Sequence, residues 1–245
     1  MHDQDIPAPA PDLRPAWREA LLADAWFAQC PPALREALQR LGRVQRVGAG
    51  EALFERGQAA DGLACVLEGA LRIGAVQGDG RATLLAFLEP GQWFGEISLI
   101  DGRPRTHDAV ADGPTVVLRV PQSALQAWLA EHPAHWQAIA QLACGKLRML
   151  FGVLEDIAQL PLEARLAKRL WLEARGWGGR HGPPRLLLRL PQEQLALMLG
   201  VSRQSTNKAL RALEARGLLS LRYGSIELND LAALGQAAGI TGPAA

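Results

Sequence analysis

The stretch from Gly91 to Ala111, GQWFGEISLIDGRPRTHDAVA, combines side chains that could hold a phosphorylated sugar. Glu96 follows an aromatic pair and opens a short apolar run, which predicts one helical turn with free backbone N–H groups at its start. Arg105 and Thr106 follow after a turn. An Arg guanidinium can hold a phosphate by two parallel hydrogen bonds, and a carboxylate such as Glu96 can accept from a sugar hydroxyl. The alternative is a surface turn in which Arg105 pairs with Glu96 or Asp101.

A second group of polar residues lies on a predicted helix-turn-helix near the C-terminus. The segment QEQLALMLG predicts a helix ended by Gly200, and Ser202 is the expected N-cap of a second helix from Arg203 to about Arg216. At about 100° per residue, the polar side chains of this second helix fall opposite its apolar ones. Such side chains can hydrogen-bond base edges and phosphates, and here they are Arg203, Gln204, Asn207, Lys208 and Arg211. The alternative is a solvated polar face, although that usually mixes glutamates with its cations.

The charge distribution separates the front of the chain from the back. Residues 1–160 carry 14 Lys/Arg and 19 Asp/Glu, whereas residues 161–225 carry 12 Lys/Arg and only 4 Asp/Glu. A basic back half is expected if only that half meets a polyanion, and scattered solvated charges are the alternative. Within it, GLLSLRYGSIELND predicts a two-stranded wing that turns at Tyr223-Gly224, with Arg222 near enough to the tip to meet a DNA backbone.

Length and composition narrow the class of protein. A chain of 245 residues with 49% apolar and 21% charged residues is long enough for two domains with their own cores. It contains no apolar run long enough for a membrane span, and its acidic, proline-rich beginning is unlike a secretory signal, so a cytoplasmic location is expected. The three cysteines, Cys30, Cys65 and Cys144, are far apart, which predicts neither a disulfide framework nor a thiolate metal site.

The elements that would position the two polar groups follow from the periodicity. Helical spacing from Trp17 to Leu41, interrupted at Pro31-Pro32, predicts two short helices. From Arg43 to Pro121, short Val-, Leu- and Ile-rich runs alternate with glycines, which predicts a small antiparallel barrel or jelly roll around the first polar stretch.

A long helix is predicted between these two regions, from about Pro133 to Gln159. Its three- and four-residue steps give a heptad-like seam, which either packs on the barrel or forms a parallel dimer interface. We interpret it as a dimer interface, with the seam formed by Ile139, Leu142, Lys146, Met149, Val153 and Ile157. A shorter helix from Leu162 to Arg175 and the turn GWGGRHGPP then lead to the C-terminal region.

With these features together, the chain resembles the Crp/Fnr family of bacterial transcription regulators from about Trp26 to Leu234. The resemblance rests on FGEISL with PRT, and on QEQLALMLGVSRQSTNKALRALEARGLL. It implies an α+β fold: an N-terminal antiparallel β jelly roll or barrel like that of cyclic nucleotide-binding domains, a long dimerisation helix and a C-terminal winged helix-turn-helix.

The resemblance also implies two binding sites. The positions that match the phosphate-binding cassette of the family are Gly95, Glu96, Arg105 and Thr106, and the predicted ligand-binding set adds Ile97, Ser98 and His107. Those that match its major-groove positions are Arg203, Gln204 and Lys208, and the predicted DNA-binding set adds Ser202, Ser205, Asn207 and Arg211. Gln204 and Lys208 replace the Glu and Arg of the catabolite activator type. Because Gln prefers adenine whereas Glu accepts from cytosine N4, a different operator base is expected.

Cyclic AMP and cyclic di-GMP are the candidate effectors. His107 stands where members that bind cyclic AMP usually have a small residue, and Leu150 and Phe151 stand where they have adenine-contacting hydroxyls. We interpret His107 as hydrogen-bonded within the cassette, with ligand contact as the alternative. Three histidines could serve as axial haem ligands by residue type alone: His107, His132 and His135. His132 and His135 could also bind a metal together, but the sequence offers no further ligand near them, so no metal site is predicted.

The sequence therefore predicts a homodimeric regulator that binds double-stranded DNA and a small phosphate-bearing effector, without membrane contact and without enzymatic activity. RNA polymerase is a further candidate partner. The predicted divisions are a disordered leader (1–16), a sensor domain (17–132), a dimerisation helix (133–160), a DNA-binding domain (161–234) and a tail (235–245). The alternatives are a regulator of the same family without a nucleotide ligand, and a ligand-binding regulatory protein that does not bind DNA.

Overall fold

The computed structural model describes residues 13–76, 82–176 and 183–240. These residues divide into two compact units. The first lies within residues 1–71 and 88–144, and the second within residues 72–87 and 145–245. Among the described residues, no helix combines the length and the apolar character that a membrane span requires.

Three helices precede the strands of the first unit, where the sequence predicted two. They are α1 (Pro15–Ala23), α2 (Ala25–Gln29) and α3 (Pro32–Leu41). The additional break lies at Asp24, whose carboxylate accepts a 2.8 Å hydrogen bond from the backbone N–H of Phe27 and so caps α2. Residues 1–12 of the predicted leader lie outside the described residues, and α1 already begins at Pro15.

The strands of the first unit form an antiparallel framework, as the sequence predicted. One sheet has the order β1-β8-β3-β6, and β2 pairs antiparallel with β7. The strands are β1 (Arg43–Val47), β2 (Ala52–Phe54), β3 (Gly62–Glu68), β6 (Trp93–Phe94), β7 (Asp108–Ala111) and β8 (Thr115–Pro121). Helix α4 (Glu96–Asp101) lies between β6 and β7, and α5 (Gln122–Glu131) follows β8. Trp93 lies in the core, stacked on Phe27 with 5.4 Å between ring centroids.

The second unit contains a winged helix-turn-helix. Its helices are α7 (Leu162–Ala174), α8 (Gln192–Leu199), α9 (Arg203–Ala215) and α10 (Leu231–Ala237). Its three-stranded sheet has the order β10-β11-β9, formed by β9 (Leu187–Leu188), β10 (Leu219–Arg222) and β11 (Ser225–Leu228). Strands β4 (Leu71–Val76) and β5 (Ala82–Leu88) are neighbours. Arg169 of α7 donates a 3.0 Å hydrogen bond to the Leu85 carbonyl and pairs with Glu173.

The long helix α6 runs from Trp136 to Gln159, after a 3₁₀ turn at Pro133–His135. The boundary between the two units falls inside this helix, between Cys144 and Gly145. Of the predicted GWGGRHGPP turn, residues 177–182 lie outside the described residues. The predicted tail from 235 begins within α10, and residues 241–245 are not described.

Candidate functional site

The cassette predicted from Gly91–Ala111 is built around the short helix α4. Gly95 is its N-cap, with a φ of 97° that favours glycine. Gly95 is also required by close approach, since a Cβ there would lie 2.6 Å from Nη1 of Arg105 and 2.6 Å from the Gly62 carbonyl oxygen. The backbone therefore brings Arg105 directly against the start of α4, as the spacing of the motif predicted.

Arg105 is almost fully buried, with 5% of its surface exposed. Its guanidinium carbon lies 4.3 Å from the centroid of the Phe54 ring, which is a cation–π distance. Nη2 donates to the Asp61 carboxylate and, at 2.7 Å, to the Gly62 carbonyl, while Nη1 lies 3.4 Å from the Gly95 carbonyl. Nε is buried without a hydrogen-bond partner among the described residues. Arg105, the predicted phosphate-binding side chain, therefore pairs with Asp61, whereas the sequence offered Glu96 or Asp101 as its partner.

Thr106 and His107 pair with each other at the rim of the cassette. His107 Nδ1 lies 2.9 Å from Thr106 Oγ1. The pKa of His107 is lowered chiefly by burial and further by the positive charge of Arg56, against an opposite effect of Asp108. The Asp108 carboxylate accepts a 2.7 Å hydrogen bond from the backbone N–H of Arg56. This geometry supports the interpretation of His107 as a hydrogen-bonding member of the cassette.

The remaining cassette positions differ in access. Glu96 and Ser98 are buried, and Ser98 Oγ lies 3.5 Å from the Pro104 carbonyl. Ile97 is exposed. Glu96 is the first residue of α4 and is enclosed by the protein, whereas Ile97 exposes an apolar side chain at the surface.

The second predicted site lies on α9. Ser202 caps the helix, since its hydroxyl accepts a 3.1 Å hydrogen bond from the Ser205 backbone N–H. The buried face contacts the core of the second unit and comprises Thr206, Ala209, Leu210 and Leu213. Among the predicted DNA ligands the exposed ones are Ser202, Arg203, Gln204, Lys208 and Arg211, while Ser205 and Asn207 are half-buried.

Besides Ser202 and Ser205, whose hydroxyls lie 2.9 Å apart, two more of these side chains have partners inside the unit. Asn207 donates a 2.8 Å hydrogen bond to Gln192 of α8, which joins the two helices of the motif. Arg211 pairs with Glu214 at 2.7 Å, and Glu214 also accepts from the Leu221 backbone N–H. The N–H of Leu221 and then Arg211 lower the pKa of Glu214. Asn207 and Arg211 are therefore the most constrained residues of this face, and Arg203, Gln204 and Lys208 are the most accessible.

The wing forms a tight hairpin beside this helix. Arg222 pairs in register with Ser225, so Tyr223 and Gly224 make the two-residue turn that the sequence predicted. Tyr223 is fully exposed at its tip. Arg222, which the sequence assigned to the DNA backbone, is 2.6 Å from Glu227 in a surface ion pair.

The predicted dimer seam on α6 is wrong at its N-terminal end. Ile139 and Leu142 are buried in the core of the first unit, because this part of α6 packs against the helices and strands before it. Lys146, Met149 and Val153 are half-buried, and Ile157 is exposed. The apolar side chains exposed along the rest of the helix are Leu147, Leu150, Phe151, Leu154 and Ile157. They form the outer apolar face of α6, rotated from the predicted seam.

The two histidines before α6 pack on an aromatic ring. His132 and His135 stack on Trp128, with ring centroids 4.4 Å and 4.9 Å from it, and His132 Nδ1 lies 3.0 Å from the Trp128 carbonyl oxygen.

Three residues around Arg105 were not identified from the sequence: two contact Arg105 itself, and one pairs with the carboxylate that Arg105 contacts. They are Asp61, Arg119 and Phe54. No short motif connects these positions to Arg105, and Asp61 lies 44 residues before it.

Two family models match the chain. One, described as the cyclic nucleotide-binding domain, matches residues 44–132, and the other, described as the Crp-like helix-turn-helix domain, matches residues 164–237. These ranges contain the cassette and α9, respectively.

Known proteins match over most of the length. The chain is 31% identical over 182 residues to the CRP-like cAMP-activated global transcriptional regulator of Mycobacterium tuberculosis, covering 74% of this chain and 81% of that protein. It is similar to the solved structure of a CRP-family transcriptional regulator from Thermus thermophilus, with a TM-score of 0.63, 26% identity and coverage of 80% and 96%. It shares its fold with the c-di-GMP-responsive global regulator CLP of Xanthomonas campestris, with a TM-score of 0.65, 22% identity and coverage of 82% and 100%.

Proposed function

The chain belongs to the Crp/Fnr family of transcription regulators, and we propose that it is a homodimer whose affinity for specific DNA sites is controlled by a small phosphate-bearing effector in the cassette. The known relatives are regulators and not enzymes, which supports a role in binding without turnover. A cytoplasmic location follows from this proposal, because the regulator must reach bacterial DNA.

The exposed polar face of α9 is the observation that carries the DNA-binding half of the proposal. Arg203, Gln204 and Lys208 are exposed on one side of a helix whose opposite side is fixed in a hydrophobic core. A helix held in this way presents its side chains as a rigid unit to a major groove. Arg and Lys suit guanine O6 and N7 or phosphates, and Gln suits adenine.

The outer apolar face of α6 supports a dimer through that helix. Leu150 and Leu154 expose 52% and 60% of their surfaces, and a run of such side chains on one helix face is costly to leave in water. A two-fold symmetric dimer would present two copies of α9 to half-sites about 34 Å apart. We propose that the effector favours the arrangement of the long helices that matches this spacing, because a ligand shifts only an equilibrium between states it binds differently.

The effector itself is proposed by class. The buried Arg105, whose Nε–H has no hydrogen-bond partner among the described residues, supports an anionic ligand, and a phosphate suits a guanidinium through two parallel hydrogen bonds. Two relatives are described as cAMP-activated and as c-di-GMP responsive, so both nucleotides are the ones to test first. Leu150 and Phe151 carry no hydroxyl at the positions where members that bind cyclic AMP usually have one.

Selection of DNA from a random duplex library tests this function. The full-length protein should enrich a two-fold symmetric sequence whose half-sites are about one helical turn apart. Arg203→Ala with Lys208→Ala should enrich nothing, whereas Arg216→Ala should behave like the unmodified protein, since Arg216 lies at the other end of α9 and pairs with Glu163. If the unmodified protein enriches no sequence, with or without cyclic AMP or cyclic di-GMP, the proposed function is wrong.

A further inference from the structure

The carboxylate of Asp61 lies between two arginines of the first unit. One of its oxygens accepts from Nη2 of Arg105, and the other lies 2.5 Å from Nη2 of Arg119 on β8. Only 24% of the Asp61 side chain is exposed, and only 4% of the Arg105 side chain. A guanidinium buried to this degree is costly without an opposite charge beside it. Asp61 therefore supplies the negative charge that allows Arg105 to be buried in the protein alone.

The backbone keeps Asp61 and Arg105 together. The Arg105 N–H donates to the Gln58 carbonyl and the Gly57 N–H donates to the Arg105 carbonyl, each at 2.8 Å. The residues that lead into β3 are thus hydrogen-bonded to the segment that carries Arg105. These bonds hold the two segments side by side, so the pair is not an incidental contact between two surface side chains.

Asp61 occupies the donors that a phosphate would need. Both two-donor edges of a guanidinium, Nε with Nη2 and Nη1 with Nη2, include Nη2. The two hydrogens of Nη2 in Arg105 are directed to Asp61 and to the Gly62 carbonyl oxygen. Two parallel hydrogen bonds to a phosphate can form only if Nη2 gives up one of these partners. The carboxylate is the partner that a phosphate, as another anion, would replace.

Arg119 makes that exchange physically reasonable. When Asp61 leaves Arg105, its second oxygen keeps the ion pair with Arg119, so the carboxylate is not left as an isolated charge. Arg119 is held in turn, since its Nη1 lies 3.3 Å from the side-chain carbonyl of Gln45. A carboxylate displaced from Arg105 would therefore still have Arg119 as a partner.

We propose that Asp61 is the resident anion of the cassette, and that a phosphate-bearing effector binds by displacing its carboxylate from Arg105 onto Arg119. This inference rests on the proposed effector site and adds a determinant of its affinity. The carboxylate competes with the ligand and so raises the concentration of effector needed to occupy the cassette.

Titration calorimetry of the full-length protein with cyclic AMP and with cyclic di-GMP tests the competition. Asp61→Asn keeps the shape but removes the charge, so it should bind the effective nucleotide at least about tenfold more tightly than the unmodified protein, which corresponds to about 1.4 kcal/mol. Arg119→Gln should act in the opposite direction, because the displaced carboxylate would lose its remaining partner. Asp101→Asn is the matched control, since this exposed carboxylate near the end of α4 accepts from Arg103 N–H and makes the same charge change without touching Arg105.

The outcomes separate this inference from the proposed function. Nucleotide binding by the unmodified protein with equal or weaker binding by Asp61→Asn would overturn the competition and leave the effector site standing. Binding by Asp61→Asn alone would support the competition and show that these nucleotides do not control the unmodified protein. Binding by neither protein would overturn the competition, while DNA selection would still decide whether the chain is a regulator. Should Asp61→Asn fail to fold, weaker nucleotide binding by Arg119→Gln would still support the competition, and unchanged or tighter binding would overturn it.

Discussion

At the scale of single residues, α9 and the cassette differ in how many of their polar side chains already have partners within the protein. Arg203, Gln204 and Lys208 are exposed on α9. Arg105 and Thr106, in contrast, have Asp61 and His107 as partners within the protein. We therefore expect DNA to meet these side chains of α9 without rearrangement, whereas a ligand in the cassette would have to displace partners that are already present.

Gln204 is expected to choose one base of the operator. Gln204→Glu should replace a preference for adenine by a preference for cytosine at that position, because a carboxylate can only accept and cytosine N4 donates. The discrimination between the two bases should change by about 1–3 kcal/mol. Fluorescence anisotropy on operators that differ at each position would measure it, and an unchanged base preference at every position would remove Gln204 from base recognition.

His107 is expected to make stability depend on pH. Its pKa is lowered in the folded protein from an ordinary value of 6.5, so the unfolded chain takes up the proton first as the pH falls. The stability gained from the neutral ring is complete above pH 6.5 and is lost as the pH falls through the lowered pKa. The melting temperature of His107→Gln should therefore fall less than that of the unmodified protein when the pH is lowered from about 7 to 5. Equal losses in thermal unfolding of both proteins would contradict this role.

The types of the cassette residues could be predicted from the sequence, but their partners could not. Gly95, Glu96 and Arg105 lie within one short motif, and their proximity follows from local chain geometry. Asp61 comes from the segment before β3 and meets Arg105 only through the folding of the sheets. A sequence contains many carboxylates that could neutralise a given arginine, so only the structure could select among Asp61, Glu96 and Asp101.

At the scale of elements, the N-cap residue Ser202 fixes where α9 begins. Ser202 accepts from the Ser205 N–H, and without this bond one N–H at the helix start loses its partner. Ser202→Ala should lower the free energy of unfolding by about 1 kcal/mol, and Ser202→Asp should restore it. Chemical denaturation would measure the free energy of unfolding of both variants. An unchanged value for Ser202→Ala would show that another group caps the helix.

The outer apolar face of α6 is expected to hold the dimer. Leu154→Asp should weaken dimerisation by at least about 3 kcal/mol, because two carboxylates would be buried at one two-fold interface. Gln159→Asp is a matched control, since it adds the same charge to an exposed position about 140° round the helix. Sedimentation velocity would measure the result, and a Leu154→Asp protein that remains dimeric would place the interface elsewhere.

Helix ends were predictable where a capping residue marks them, as at Gly200 and Ser202. The seam of α6 was not, because apolar residues recur on more than one face of that helix. Ile139 and Leu142 fit the heptad spacing but pack into the core of the first unit. Periodicity indicates that a face is buried, and it does not say whether its own chain or another chain buries it.

At the scale of the whole molecule, the two sites lie in separate parts of the chain with opposite charge. The front 160 residues have an excess of acids, and residues 161–225 have an excess of bases. The order of the domains and the division of charge could be predicted from the sequence because each unit carries a continuous motif. The sequence did not indicate that residues 72–87 belong to the second unit, because the pattern of these strands predicts part of the barrel.

The ratio of its affinities for specific and non-specific duplexes tests most directly whether this protein binds specific DNA as a dimer. Anisotropy titrations at one fixed salt concentration would compare the selected operator with a scrambled duplex of equal length and composition. We expect the operator to bind at least about 10³-fold more tightly, and Leu154→Asp to lose most of that ratio. Equal affinity for the two duplexes, with and without either nucleotide, would contradict the account.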